Sequence, residues 1–182
     1  VFMEVKKMFH VEDSVMYGSY GVCQIVDIRS EKFDRDAKLY YVLKPVQDKN
    51  STFYCPVESG NAKMRKILSI GEIHQLIKAM PDAQTKWIEN EQLRKEKYGE
   101  IIRRGDHKEL VQLIKTLYYK KQEKKQEGKK FHVADEKAMK EAERILHGEF
   151  AYVLKIKPDD VVPFIMGQIN HIGEQNADAE NA

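Results

Sequence analysis

The chain changes its hydrophobic period at Ser69, and that switch limits the fold more than any other feature of the sequence. Before it, apolar residues alternate or run in short β-branched and aromatic stretches. After it they recur at three- and four-residue intervals. Val15-Met16-Tyr17, Val22 to Arg29, Leu39 to Lys44 and Thr52 to Cys55 read as strands, with Met64 to Leu68 as a last short one. Gly18-Ser19-Tyr20-Gly21, a polar turn around Asp34-Arg35-Asp36, and Asp48-Lys49-Asn50-Ser51 separate them, while Pro45 and Pro56 close the strands they follow. Strands this short, with no helix between them, predict a small barrel or curled sheet.

Ser69-Ile70-Gly71-Glu72 fits a capping box, in which serine and glutamate side chains satisfy each other's free backbone donors. It opens a helix that should reach Met80, ahead of Pro81-Asp82. A polar helix is expected over about 85–104, stopped by Gly105. Asp106, with Glu109 three residues on, caps the next helix, whose stripe is Leu110, Leu113, Ile114, Leu117 and Tyr118. Lys120 to Lys130 reads as a charged connector. Asp135 then caps a helix with the stripe Ala138, Met139, Ala142, Ile145 and Leu146, and a short apolar segment follows Gly148. Pro158-Asp159-Asp160 opens the last helix, with Val161, Phe164, Ile165 and Ile169 facing inward. The expected class is α+β with segregated halves: a small β-barrel over residues 1–68, an all-helical bundle over 69–170, and a disordered tail over 171–182.

Several function classes drop out. No apolar run approaches the roughly 18 residues of a membrane span, and Val1 to His10 lacks the apolar core of a signal peptide. Two cysteines make no disulfide framework, so a reducing cytoplasmic setting is expected; Cys23 and Cys55 are read as buried free thiols. The six histidines are far apart in the sequence, and no phosphate loop, dinucleotide fingerprint or nucleophile elbow is present. Carboxylates sit beside lysines on amphipathic helices, where solvated pairing accounts for them. The expectation is a protein that is not an enzyme and uses no cofactor or metal.

Charge is unevenly laid out. Formal net charge is only +2, yet residues 83–155 hold 18 Lys+Arg against 13 Asp+Glu, and residues 156–182 hold one lysine against five acids. Such a middle suits either a polyanion-facing segment or exposed helices that solvate themselves. Within it lies Trp87, the only tryptophan, followed by Glu89-Asn90-Glu91-Gln92 rather than by an apolar stripe. Arg94, Lys95 and Lys97 stand one to two turns on. Two readings are open: an anchor folded back between the two halves, or an exposed aromatic wedge flanked by cations that neutralise phosphates.

Phe9-His10-Val11-Glu12-Asp13-Ser14-Val15-Met16-Tyr17, Gly21-Val22, Leu39 to Lys44 and Tyr54-Cys55-Pro56-Val57 together form a pattern. Trp87, Gly105-Asp106, Leu113 to Tyr118 and Ala142 to Leu146 extend it. In order and spacing these segments resemble the CarD/CdnL family of bacterial transcription regulators, from residue 8 to about 169. Residues 1–7 lie upstream of that family's usual start, here Met8, and read as an alternative start or added residues.

The resemblance implies a Tudor-like barrel that docks on the RNA polymerase β subunit. It also implies a helical domain that touches promoter DNA at the upstream edge of the melted bubble without reading sequence. A tryptophan wedge, here Trp87, would hold the open complex, with Arg94, Lys95 and Lys97 as its basic neighbours. Polymerase-contact positions that are basic in some relatives appear here as Glu31 and Tyr54, with Arg29, Lys32, Phe33 and Arg35 nearby. The implied protein is a monomer, cytoplasmic and nucleoid-associated, with no membrane partner. The rival expectation is an adaptor that binds polymerase through the barrel and another protein through partly exposed stripes at Leu110–Tyr118 and Ala138–Leu146.

Overall fold

The structure is a computed structural model and describes residues 9–180; the reading of residues 1–7 lies outside them. The chain divides into two compact units between Ile67 and Leu68. In the first, β1 (Ser14–Tyr17), β2 (Val22–Glu31), β3 (Lys38–Pro45), β4 (Phe53–Pro56) and β5 (Met64–Lys66) form one barrel-like antiparallel sheet in the order β4-β3-β2-β1-β5. A one-turn helix, α1 (Gly60–Lys63), precedes β5 and carries no signal in the hydrophobic pattern.

Side-chain parity explains how the sheet curls. Cys23 and Ile25 point to the core, opposite Pro45 and Leu43, and then the register slips so that Asp27 faces Val42. The extra residue, Val26, is exposed, and beyond it Ile28 rather than Asp27 packs against the core. A bulge of this kind bends its strand and switches which side chains face inward. The core under the sheet is Phe9, Val15, Cys23, Ile25, Tyr41, Leu43, Cys55, Val57 and Met64. Both cysteines are buried free thiols, and burial pushes the Cys23 thiol up to about 12. Pro45 and Pro56 lie inside the ends of their strands rather than beyond them. Pro56 is tolerated because β4 is an edge strand, where a missing N–H disrupts no inner ladder.

The second unit contains α2 (Ile70–Ala79), α3 (Glu91–Arg104), α4 (His107–Gln126), α5 (Val133–Leu154) and α6 (Val161–Glu180). The Ser69–Glu72 capping box is formed in both directions. Gly105, left-handed at φ 65°, ends α3, and the Asp106 side chain accepts from the Glu109 N–H to start α4.

Four expectations are corrected. Residues 83–90 form no helix, and α3 starts only after Asn90, whose side chain accepts from the Leu93 N–H. The supposed connector from Lys120 is helical to Gln126, its polar turns braced by Lys120–Glu123 and Lys124–Glu127 pairs. His132, not Asp135, precedes α5, and α5 runs unbroken through Gly148 to Leu154. Finally, α6 continues to Glu180 through most of the segment expected to be disordered, because extending a formed helix costs far less than starting one.

Leu110, Leu113 and Leu117 of α4 close against α5, where Met139, Ala142, Ile145 and Leu146 are likewise buried. Within the stripes that the rival adaptor would use, Tyr118 is exposed and Ile114 and Ala138 are half-buried. Glu149 of α5 is fully buried; it accepts from the Leu68 N–H at 2.9 Å and lies 3.1 Å from His107 Nε2. Among the described residues, no helix is long and apolar enough to cross a membrane.

Candidate functional site

Trp87 lies in the extended segment between α2 and α3, and side chains of α4 and α3 pin that segment. On the upstream side, Lys115 of α4 donates through Nζ to the carbonyls of Met80 (3.2 Å), Pro81 and Ala83 (2.8 Å). Its neighbour Thr116 accepts from the Lys86 N–H at 3.2 Å and donates to the Gln112 carbonyl. The lysine thus gathers three carbonyls at and just beyond the end of α2. With Thr116 it ties down the backbone from Met80 to Lys86, the residue before the indole.

Downstream, Arg94 does the corresponding work. Its Nη1 donates to the carbonyls of Ile88 (2.9 Å) and Glu89 (3.2 Å), immediately after Trp87. Nε and Nη2 form a fork onto the two carboxylate oxygens of Asp135, at 2.9 and 3.0 Å. The guanidinium carbon stands 4.3 Å from the centroid of the Trp87 ring. Arg94 is therefore placed differently from its sequence-based expectation: it is 6% exposed and committed to Asp135 and the strap rather than presented to solvent. Its hydrogen bonds to Asp135 hold it charged against the cost of desolvation. Lys120 adds a second cation, its Nζ 5.1 Å from the ring centroid. Tyr98, one turn beyond Arg94, is buried with an unpartnered hydroxyl. Burial, then the Asp135 charge, pushes that hydroxyl up to about 12.

The indole itself is half-buried. Two cations stand 4.3 and 5.1 Å from its ring centroid, and part of its surface stays open to solvent. Lys95 is exposed and forms no ion pair among the described residues, whereas Lys97 is exposed but meets Glu100 at 3.0 Å.

The first unit carries a separate patch. Arg29 on β2 bonds Glu31 at 2.7 Å, Asp27 at 3.3 Å and the Tyr54 hydroxyl of edge strand β4 at 3.1 Å. Phe33, in the turn after β2, is 57% exposed and packs edge-on against Tyr40 and Tyr54, with ring centroids 5.1 and 4.9 Å away. Lys32 and Arg35 are exposed in the same turn. The structure thus gathers Arg29, Glu31, Phe33 and Tyr54 into one cluster and adds Asp27 and Tyr40, which sequence reading missed. Tyr40 lies opposite Arg29 in the β2–β3 register, a pairing set by the fold beyond the bulge at Val26.

Comparison with known families fits this division. Residues 9–68 match the CarD-like/TRCF RID domain, and residues 72–165 match the CarD C-terminal domain. The chain belongs to the CarD-like family. No curated protein matches it. The CarD-like family is one of RNA polymerase-interacting transcription factors. The boundary between the matched domains falls within a few residues of the boundary between the two compact units. In the CarD-like chain the strand-edge patch lies wholly in the first match and the braced tryptophan wholly in the second.

Proposed function

We propose that this CarD-like protein docks its first unit on the RNA polymerase β subunit and sets Trp87 against promoter DNA at the upstream edge of the melted bubble. The open complex then lives longer without any base sequence being read. The observation that carries this is a half-buried indole on an extended strap, fixed from both sides by Lys115 and Arg94, with exposed lysines one to two turns on. A ring held this way loses little entropy on meeting an unstacked base or a widened groove. Docking by the first unit raises the local concentration of the second at the DNA, so each contact can be weak alone.

Open-complex dissociation, followed with a competitor across a salt series, tests the proposal. Added protein should lengthen the lifetime, and an unchanged lifetime at saturating protein overturns it. Lys95→Ala and Lys97→Ala should each weaken binding uniformly across promoter sequences. Each should also flatten the salt dependence by about one phosphate equivalent, slightly less for Lys97 because Glu100 already shares its charge.

The docking half has its own test. Phe33 is the exposed ring over which Tyr40 and Tyr54 close, and buried aromatic anchors dominate such interfaces. Phe33→Ala should weaken polymerase binding about tenfold, the order of a 1–2 kcal/mol hot spot. Binding of free fork DNA should not change. Equal loss in both assays would place the defect in folding rather than docking.

A further inference from the structure

Arg94 is 6% exposed and spends four donor contacts on a carboxylate and two carbonyls, which is an unusual use of the basic residue nearest a candidate DNA contact. The geometry points to a positioning pair: Asp135 fixes the plane of the Arg94 guanidinium, and Arg94 in turn fixes both the strap and the face of Trp87. This inference rests on the wedge reading and specifies what presents the wedge. Neither residue touches DNA in it.

The reasons are steric and electrostatic. A guanidinium held by a bidentate carboxylate cannot rotate without breaking two charge-assisted bonds. Nη1 then points at the carbonyls of Ile88 and Glu89, which sets the path of the chain leaving Trp87. The guanidinium carbon of the same group, 4.3 Å from the ring centroid, holds the indole in place through a cation–π contact. Asp135 is 5% exposed, on the third helical position of α5, so the ring's orientation is referred to a rigid element of the fold. Lys115 and Thr116 perform the same service from α4. A loose strap would have to be ordered at the moment of DNA contact, and the pair removes that cost beforehand.

The test uses the full chain and its only tryptophan, whose emission reports this site alone. Single loss of Asp135 leaves a buried charge and endangers folding, so the variant of choice is Arg94→Met with Asp135→Leu. Replacing a buried ion pair by apolar residues of similar size is often neutral or stabilising. The double variant should keep its melting temperature and its polymerase affinity. Trp87 emission should shift to the red and become more accessible to acrylamide, and open-complex lifetime should fall roughly 3- to 10-fold. The salt slope should stay at the wild-type value, because no phosphate contact is lost.

Wild-type emission together with wild-type lifetime in the folded double variant would overturn the inference. So would a salt slope reduced by about one, which would assign Arg94 to a phosphate after all. Should the double variant not fold, Arg94→Lys retains the charge beside Asp135 but not the fork. It should give the same emission shift, and wild-type emission there is equally fatal. Trp87→Ala in the same assay separates the two claims. If it shortens the lifetime and the double variant does not, the brace fails and the wedge stands. If Trp87→Ala leaves the lifetime unchanged while the double variant shifts emission, the brace stands and the wedge fails.

Discussion

Trp87→Ala is expected to shorten open-complex lifetime by roughly 5- to 150-fold, the range of coupling free energies typical of linked equilibria. Base–aromatic contacts contribute on the order of 1–3 kcal/mol. Only the part made with melted DNA and not with the closed duplex shifts the balance, so the effect should appear in dissociation of the open complex and not in polymerase affinity. The fold should tolerate the change. The ring is half-buried and outside the buried set, and Arg94 keeps its bonds to Asp135, Ile88 and Glu89 without it. The loss is its cation–π contacts, about 0.5–1 kcal/mol with Lys120 and on the order of 2 kcal/mol with the buried Arg94. Stopped-flow dissociation checks the lifetime and thermal unfolding checks the fold. A lifetime within twofold of wild type would take Trp87 out of the mechanism.

How much of this was legible in the chain follows from the range over which each signal acts. The Ser69–Glu72 box, the Asp106–Glu109 cap and the Gly105 stop are settled within four residues, so they read correctly from letters alone. The alternation of Cys23 and Ile25, or of Tyr41 and Leu43, is equally local. What failed was decided across the fold. Nothing between Ala83 and Asn90 forbids a helix; the segment is extended because Lys115 and Arg94 take its carbonyls. Asp135 looked like a cap because aspartate usually prefers that place, but its partner is 41 residues away in sequence.

The same distinction governs the sites. A lone tryptophan in a polar, basic stretch was visible, and so was the Arg29–Tyr54 neighbourhood through the family resemblance. That Arg94 faces inward while Lys95 faces outward was not visible, since both are basic and adjacent and only the packing of α3 against α5 separates them. The end of α4 was misread for a related reason. Its lysine–glutamate turns lack an apolar stripe, so periodicity reported a connector where side-chain pairs and the continuing backbone ladder sustain a helix. Yet this overlooked turn carries Lys120, one of the two cations over the indole.

The largest stability effect should come from Asp135→Leu alone, and it discriminates between two views of the buried pair. With the carboxylate gone, the Arg94 guanidinium stays in a site where it is 6% exposed, retaining only its carbonyl partners. Breaking a buried pair from one side typically costs about 3–5 kcal/mol, because the surviving charge keeps its desolvation penalty and loses its compensation. Arg94→Met alone should cost less, since a carboxylate can recover by taking up a proton, as an arginine cannot by losing one. Combining the two should recover most of the loss, giving a coupling energy of several kcal/mol in a double-mutant cycle measured by urea unfolding. If the single and double variants are equally unstable, the pair is a structural clamp that no apolar filling can replace. If the double variant recovers stability while the open complex does not recover its lifetime, the ion pair is kept for where it puts the indole and not for what it adds to folding.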